Sequence, residues 1–437
     1  MQVLRPGWRC ARCHSCWSFQ RARTSSLKTF FENKPVMSHP VKKPSVEYII
    51  LIAMLSSIVA LGSDIMLPGL SLIGSELGAP SENSFHYNII LFFLGFAFGQ
   101  LVVGPLSDSF GRKPIVYAGI TLFILGCLLS IVTENWTVML LSRALQGLGA
   151  AARIVAVAVV RDEYEGRPMA RVMSVVFSVF ILVPMIAPAI GQFLIYLGGW
   201  QLTFVFLAGF AATSAIWFGL RQPETLLPEK RRSIRLTDIM LGYREVFLHR
   251  STFGYTLAAG LIFGAFSGYL GTAQLIFHNV FNVGDMFALY FAVAAASIGV
   301  SSLLNAWLVV RFGMFYLTLI ALFVATISSA LFCLILIGYG GIPPIALFMA
   351  WLMIVFFCMG IIFANLNALA MEPMGHMAGL AAAFIGAAST FISLPFASLV
   401  GNMFNGTVYP LVVAFALLGL ATLLAIIWTE GGIRKKH

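Results

Sequence analysis

Charge is scarce in this sequence. Asp and Glu together number 17 and Lys and Arg 27 among 437 residues, so 10% of the chain is charged. A soluble domain carries about 25%, and the shortfall excludes an ordinary water-soluble fold. The net charge of +10 does not imply nucleic acid as a partner, because the cations sit in tails and short loops, as membrane topology demands. Cysteine is sparse too. Of the six, Cys10, Cys13 and Cys16 crowd the segment CARCHSC, while Cys127, Cys333 and Cys358 stand singly in apolar runs. No disulfide framework emerges, and the second cysteine pair that a zinc site needs is missing. Nor do the apolar runs hold the clustered His, Asp or Glu of a membrane-embedded enzyme. The expectation is therefore no metal, no cofactor and no catalysis.

What fills the chain instead is apolar sequence, at 59% hydrophobic residues and a mean hydropathy of +0.92. A hydrocarbon core of ~30 Å takes about 20 such residues per helix. Runs of that size fall near 47–72, 87–106, 115–132, 137–160, 172–196, 201–220, 253–277, 286–310, 314–338, 344–369, 378–402 and 407–428. They are too long and continuous for barrel strands, which alternate over ~10 residues. An all-α integral membrane protein of twelve spans is predicted. Lys and Arg mark its orientation. Arg112, Lys113, Arg161, Arg167, Arg171, Arg221, Lys230, Arg231, Arg232, Arg235, Arg311, Arg434, Lys435 and Lys436 fall on one side. The opposite loops, such as Ser75–His86 and His278–Asp285, hold neither Lys nor Arg. Both termini are expected in the cytoplasm.

The basic stretch Arg221–Arg250 divides the chain into halves. The expected organisation is a tail at 1–45, a six-helix bundle at 46–220, a linker at 221–251, a second bundle at 252–429 and a tail at 430–437. The halves echo each other: DSFGRKP (Asp108–Pro114) and VRFGMFY (Val310–Tyr316) place Phe-Gly at matching loops. Parallel repeats of this kind mark transporters whose binding site lies at mid-membrane between the halves. Residues 1–36 read as a misassigned start or a dispensable tail, since Met37 opens an ordinary basic flank. An Arg-rich targeting peptide is the other reading.

Charges inside a span cost ~2.5–3.5 kcal/mol or more. Here they are Asp64, Arg143 and Arg153, all in the first half. At ~1.5 Å per residue, Asp64 lies roughly 12 Å and Arg143 roughly 10 Å below the same surface. A pair or near-pair facing a cavity is predicted. Burial raises a carboxyl pKa and a nearby Arg lowers it, which makes Asp64 a usable proton site. Pro68 removes the N–H that the Asp64 carbonyl would accept. The alternatives are that Asp64 merely stabilises a kinked helix and that Arg143 snorkels to the interface. Arg153 either snorkels inward or meets an anionic part of a substrate. In the loop GPLSDSFGRKP, Gly104 permits close packing, Gly111 permits a tight turn, and Asp108 with Arg112 and Lys113 forms a charge cluster suited to latching neighbouring helices. The second half offers only neutral polar groups, among them Tyr269, Gln274, Asn305 and Asn365.

These motifs bear a resemblance. Gly104, Leu106, Asp108, Gly111, Arg112 and Lys113 resemble the signature loop of the major facilitator superfamily. RALQGLGAA (Arg143–Ala151) is similar to the fourth-helix motif of its drug/proton antiporters, whose Arg is implicated in proton coupling. PMIAPAIGQ, with Pro184, Pro188 and Gly191, resembles their fifth-helix motif, which bends that helix and packs it on the second half. SDIMLPGL (Ser63–Leu70) and NAWLVVRFG (Asn305–Gly313) resemble the bicyclomycin and chloramphenicol resistance group. Ser109 departs from the loop's usual basic residue, and Ala187 and Gln192 from the motif's usual glycines. The resemblance implies two pseudo-symmetric six-helix bundles in a bacterial inner membrane, a monomer driven by the proton gradient, and export of small amphipathic compounds. Asp64 and Arg143 would couple protons, one per cycle. Arg153, Gln146, Tyr269, Gln274 and Asn365 would line the substrate cavity. The rival readings are export of a metabolite such as a sugar or nucleoside, and a non-transporting sensor or scaffold.

Overall fold

Helix follows helix along almost the whole chain because each apolar run is long enough to satisfy its own backbone, the condition for crossing lipid. The computed structural model describes residues 44–231 and 236–431. Cys10, Cys13, Cys16, Met37, Arg232, Arg235, Arg434, Lys435 and Lys436, on which expectations were placed, lie outside the described residues. Among the described residues eleven continuous helical segments are long and apolar enough to span a membrane. One of them, Ile345–Asn402, is two helices joined by the turn Glu372–Met377, where Met374 leaves helical geometry. The chain is thus a multi-pass membrane protein of twelve spans, as predicted.

The spans are α1 (Val46–Glu76, broken in its middle), α2 (Tyr87–Phe110), α3 (Arg112–Val132), α4 (Trp136–Glu163), α5 (Gly166–Gly198) and α6 (Gln201–Arg221). A linker helix, Leu236–Leu248, follows. The second half comprises α7 (Arg250–Leu275), α8 (Phe287–Phe312), α9 (Met314–Gly338), α10 (Ile345–Met371), α11 (Ala378–Asn402) and α12 (Tyr409–Thr429). Side-chain caps fix several starts: Ser45 accepts from the Tyr48 N–H at 3.1 Å, and Asn135 from the Thr137 N–H at 2.8 Å. Such caps supply a partner that the helix itself lacks.

The halves repeat each other in space. In the first, α1 packs on α5, α2 on α4, and α3 on α4 and α6; in the second, α7 packs on α11, α8 on α10, and α9 on α10 and α12. The Phe-Gly echo is real. Gly111 (φ +103°) is the one residue between α2 and α3, and Gly313 (φ +78°) the one between α8 and α9. Both need positive φ, which glycine adopts without a steric cost. The halves meet where α2 runs along α11 and α5 along α8, pairs that exchange when the halves exchange. Outside, Val310 (87% exposed) and Leu220 (79%) face away from the protein. An apolar surface of that kind belongs in lipid.

The end of the bundle at which the described chain starts and stops, at Pro44 and Gly431, is called the terminal end below, and the other the far end. The α2–α4 crossing is among the tightest contacts. A Cβ on Gly147 would overlap the Phe92 carbonyl, and one on Gly95 the Ala144 carbonyl. Small residues let membrane helices approach so closely. Gly147→Ala is expected to cost about 1–3 kcal/mol by overpacking, seen as a lower unfolding temperature in detergent. Gly209→Ala on α6, where a Cβ meets nothing within 4 Å, is expected to behave as the parent. Equal behaviour of the two variants would refute the close crossing.

Candidate functional site

The site is built on the break in α1. Its first segment ends at Asp64, a short 3-10 turn covers Leu67–Gly69, and the helix resumes over Leu70–Glu76. Pro68 causes the break, since it lacks the N–H that the Asp64 carbonyl would accept. Asp64 is 5% exposed, and the Ser63 hydroxyl donates to its Oδ1 at 2.7 Å. On α5, Gly191 lies so close that a Cβ would overlap the Ile65 carbonyl. That motif therefore packs on α1 within the first half, while α5 as a whole also meets α8 of the second. Pro184 and Pro188 lie inside α5, which runs unbroken through both.

Arg143 on α4 is fully buried. Its Nη2 donates to the Gly62 carbonyl at 2.6 Å, its Nε to the Asn88 carbonyl at 3.4 Å, and its Nη1 to Gln146 Oε1. The guanidinium also lies 4.7 Å from the centre of the Phe92 ring, a cation–π contact. Gln146 Nε2 donates to Ser130 Oγ at 2.8 Å, and Ser130 and Ser142 share a 2.6 Å bond. Arg143 thus does not snorkel. Nor does it form the direct ion pair with Asp64: among the described residues the ion pairs are Arg112–Asp108, Arg112–Asp162, Arg221–Glu47 and His376–Glu245. The near-pair is what the structure holds. Arg143 grips the backbone two residues before Asp64, because its donors are taken by two carbonyls and an amide.

The remaining predicted residues separate. Gln146 is fully buried and supports Arg143. Tyr269 on α7 is fully buried, stacks on Phe291 at 5.9 Å and meets Phe356 edge-on at 4.9 Å. Its hydroxyl has no hydrogen-bond partner and lies within electrostatic range of Asp64. Gln274 Nε2 reaches across the halves to Ser71 Oγ at 2.8 Å. Asn365 and Asn305 exchange both amide bonds, at 3.0 and 3.1 Å, and tie α10 to α8. Arg153 opens the second segment of α4, after a break at Ala151–Ala152, and borders a small apolar void with Leu55, Ile58 and Phe123.

The loop cluster binds the first half together at the terminal end. Arg112 donates to Asp108 Oδ1 at 2.6 Å, to Ser107 Oγ at 2.8 Å and to Asp162 Oδ2 at 2.8 Å, and Lys113 Nζ donates to the Gly219 carbonyl at 3.1 Å. These bonds join α2, α3, α4 and α6. Gly104 faces the second half, where its Cβ position lies 3.8 Å from Ala383 of α11. Beside the cluster opens a cavity of about 800 Å³ between α2 and α4 on one side and the α10–α11 turn and linker helix on the other. Gly104, Asp108, Arg112, Arg161, Asp238 and His376 are among its lining residues.

Sequence reasoning missed Glu224 and Asp162. Glu224 accepts from the backbone N–H of Arg112 (2.9 Å), Lys113 (3.0 Å) and Leu226 (3.0 Å), and so caps α3. A Cβ on Gly111 would come within 2.8 Å of its Oε2, so glycine serves that position twice. No motif marks Glu224, whose partners on α3, Arg112 and Lys113, lie over a hundred residues away. Asp162 carried a usable signal, as an acid beside the basic residues Arg161, Arg167 and Arg171 at the end of α4 and after it.

Burial pushes the Glu224 carboxyl up, but the Leu226, Arg112 and Lys113 N–H groups, with Arg231 beyond them, outweigh it and hold it below the usual carboxylate range. A depressed carboxylate adds stability above its unfolded value and loses it as pH falls through the folded one. Glu224→Ala is expected to cost about 1–2 kcal/mol at neutral pH, as for a lost helix cap. Unfolding in detergent, followed from about pH 7 to about pH 3, should show the gap between parent and variant closing in acid. A gap that stays constant would refute the assignment.

Residues 52–398 match the Major Facilitator Superfamily. The chain is 30% identical over 383 residues to the bicyclomycin resistance protein homolog of Haemophilus influenzae, covering 85% of this chain and 92% of that one. It is 26% identical over 413 residues to multidrug resistance protein D of Escherichia coli, covering 91% and 98%. A solved D-xylose-proton symporter superposes with a TM-score of 0.68 at 14% identity, over 87% of this chain and 96% of that one, a likeness of fold. The chain belongs to the Major Facilitator Superfamily.

Proposed function

We propose that this protein exports small, partly apolar compounds from the bacterial cytoplasm in exchange for protons, by alternating access across the inner membrane. The observation that carries the reading is Asp64, a buried carboxylate at a helix break, bonded by one hydroxyl and set beside a guanidinium that does not pair with it. Ser63 and the field of Arg143 favour the carboxylate, and the apolar surroundings favour the neutral acid. A small change in hydration as the halves rock then loads or releases a proton. Arg143 tunes this balance and needs no proton of its own. With both termini cytoplasmic, the cavity at the terminal end is the cytoplasmic entrance and the far end is closed.

Two further features support the substrate class. The bicyclomycin and multidrug resistance names of the relatives point to drugs. An aromatic wall also lies between the halves: Phe93 of α2 meets Phe263 at 5.5 Å, and Phe263 and Phe266 of α7 each meet Phe363 of α10 at 5.8 Å. Such a surface suits an apolar ring better than a hydrated sugar. The protein acts as a monomer, and the proton gradient is its energy source.

Growth inhibition tests the reading. In a bacterial host stripped of its own efflux pumps, the parent is expected to raise resistance to part of a broad antibiotic panel, and Asp64→Asn at matched membrane levels to abolish it. Resistance retained by Asp64→Asn would remove the coupling role from Asp64. No resistance to any compound would favour a metabolite exporter. In proteoliposomes one proton should move per substrate, so a measured ratio of two would overturn the single-acid mechanism.

A further inference from the structure

The far end is held shut by hydrogen bonds between the halves, made by amides, carbonyls, a hydroxyl and one carboxylate. Asn83 Nδ2 donates to the carbonyls of Asn402 and Phe404, both at 3.0 Å. Asn402 Nδ2 donates to the Tyr87 hydroxyl at 3.2 Å, and Asn279 Nδ2 to Glu82 Oε2 at 3.0 Å. At the centre of this seam sits His86, 2% exposed. It belongs to the start of α2, yet its ring fills a slot in the second half. A Cβ on Gly271 of α7 would lie 2.7 Å from the His86 Cβ, and a Cβ on Gly401 of α11 would overlap the ring itself. Two glycines, one from each wall, make the room.

The ring's tautomer follows from its contacts. Nδ1 faces the Asn83 carbonyl, which only accepts, so the proton is on Nδ1. Nε2 is then a bare lone pair, buried, with no protein partner. A second proton there would place an N–H and a full charge in a slot that offers neither an acceptor nor an anion, which is costly in a dry interior. On the ring's own element the titratable groups are Glu82, bonded to Asn279, and Tyr87, bonded to Asn402. From α7, Tyr269 is turned into the Phe291 and Phe356 contacts. From α1, Glu76 accepts from Trp200 Nε1 at 2.6 Å. α11 lines the slot with Gly401, and Glu134, His278 and Asp285 lie exposed at the same end.

We propose that His86 is a proton-binding site of the outer gate, which takes a proton only with its ring withdrawn from the glycine slot, so that acid on the outer side holds the gate open. The inference rests on alternating access as read above and is independent of Asp64 as the coupling acid. A hydrated imidazole titrates near pH ~6.5. A proton bound only in the open state shifts the equilibrium toward opening by about tenfold at one unit below that value. The proton returns to the side it came from when the ring re-enters the slot. It therefore gates without being transported, and one proton per substrate is preserved.

The test measures the width of the far end by spin-label distances between Thr137→Cys and Asp285→Cys, in the full chain with its six native cysteines replaced. Asp64→Asn is present throughout, so that only gate protonation is read. Between about pH 8 and about pH 5, the chain with His86 is expected to shift to longer distances with a midpoint near pH ~6.5. His86→Asn is expected to lose that shift. Gly401→Ala, which blocks the slot, is expected to be open at every pH. If Gly401→Ala opens the far end but the chain that keeps both His86 and Gly401 shows no pH response, the role of His86 is overturned and alternating access stands. A pH response unchanged by His86→Asn would overturn the proposal. A far end that opens under none of these conditions would overturn both.

Discussion

A guanidinium buried among apolar helices needs acceptors for its donors, and the first half is arranged to supply them to Arg143. α1 gives the Gly62 carbonyl, α2 the Asn88 carbonyl and the face of Phe92, and α4 itself Gln146. Gln146 is in turn held by Ser130 of α3. One side chain thus fixes the relation of four helices. The arrangement works only if α4 comes close, which Gly147 permits by removing the Cβ that would meet the Phe92 carbonyl. Charge and glycine are parts of one device. The arginine stabilises a carbonyl exposed near the helix break, and the glycine brings the arginine within reach.

The same constraint leaves the Asp64 carboxylate out of an ion pair, as the proposed proton exchange requires. Had Arg143 closed on the carboxylate, a buried ion pair would hold both charges firmly, and removing one partner would leave the other stranded. With Arg143 committed to backbone and amide oxygens, the carboxylate feels the positive field without being locked to it. A proton can then arrive or leave without first breaking a bidentate bond. The loop cluster follows a different logic. Arg112 is tied to Asp108 and Asp162, and Glu224 caps α3. Arg112, Asp108 and Asp162 lie in the first half and Glu224 at the start of the linker, so the cluster ties that half together and borders the cavity at its mouth. It latches helices within a half rather than one half to the other.

The sequence shows most of the fold, because composition and run length alone force twelve helices, and the Phe-Gly echo locates the repeat at Gly111 and Gly313. It also shows Asp64 and Arg143, since a charge in a span stands out against lipid. What it hides is where neutral polar groups end up. Gln146, Asn365 and Gln274 all read as cavity residues. The structure turns the first to Arg143, the second to Asn305 and the third to Ser71. An amide in an apolar helix has to find a partner, but its spacing does not say whether that partner is a ligand or another helix. Glu224 and His86 were hidden for a related reason. Each acts on residues remote in sequence, and neither stands in an apolar run where its polarity would draw notice.

Pseudo-symmetry makes the difference between the halves informative. Their helices pack in the same order, yet the crossing of α2 on α4 is braced by an arginine and that of α8 on α10 by two asparagines. The charges deep in the spans, Asp64, Arg143 and Arg153, lie on the first side, and much of the aromatic wall, Phe263, Phe266, Phe356 and Phe363, on the second. A carboxylate that changes protonation alters the hydration of its own half far more than that of an uncharged one. On the proposed mechanism the ion chemistry is kept in one half and the apolar binding surface in the other.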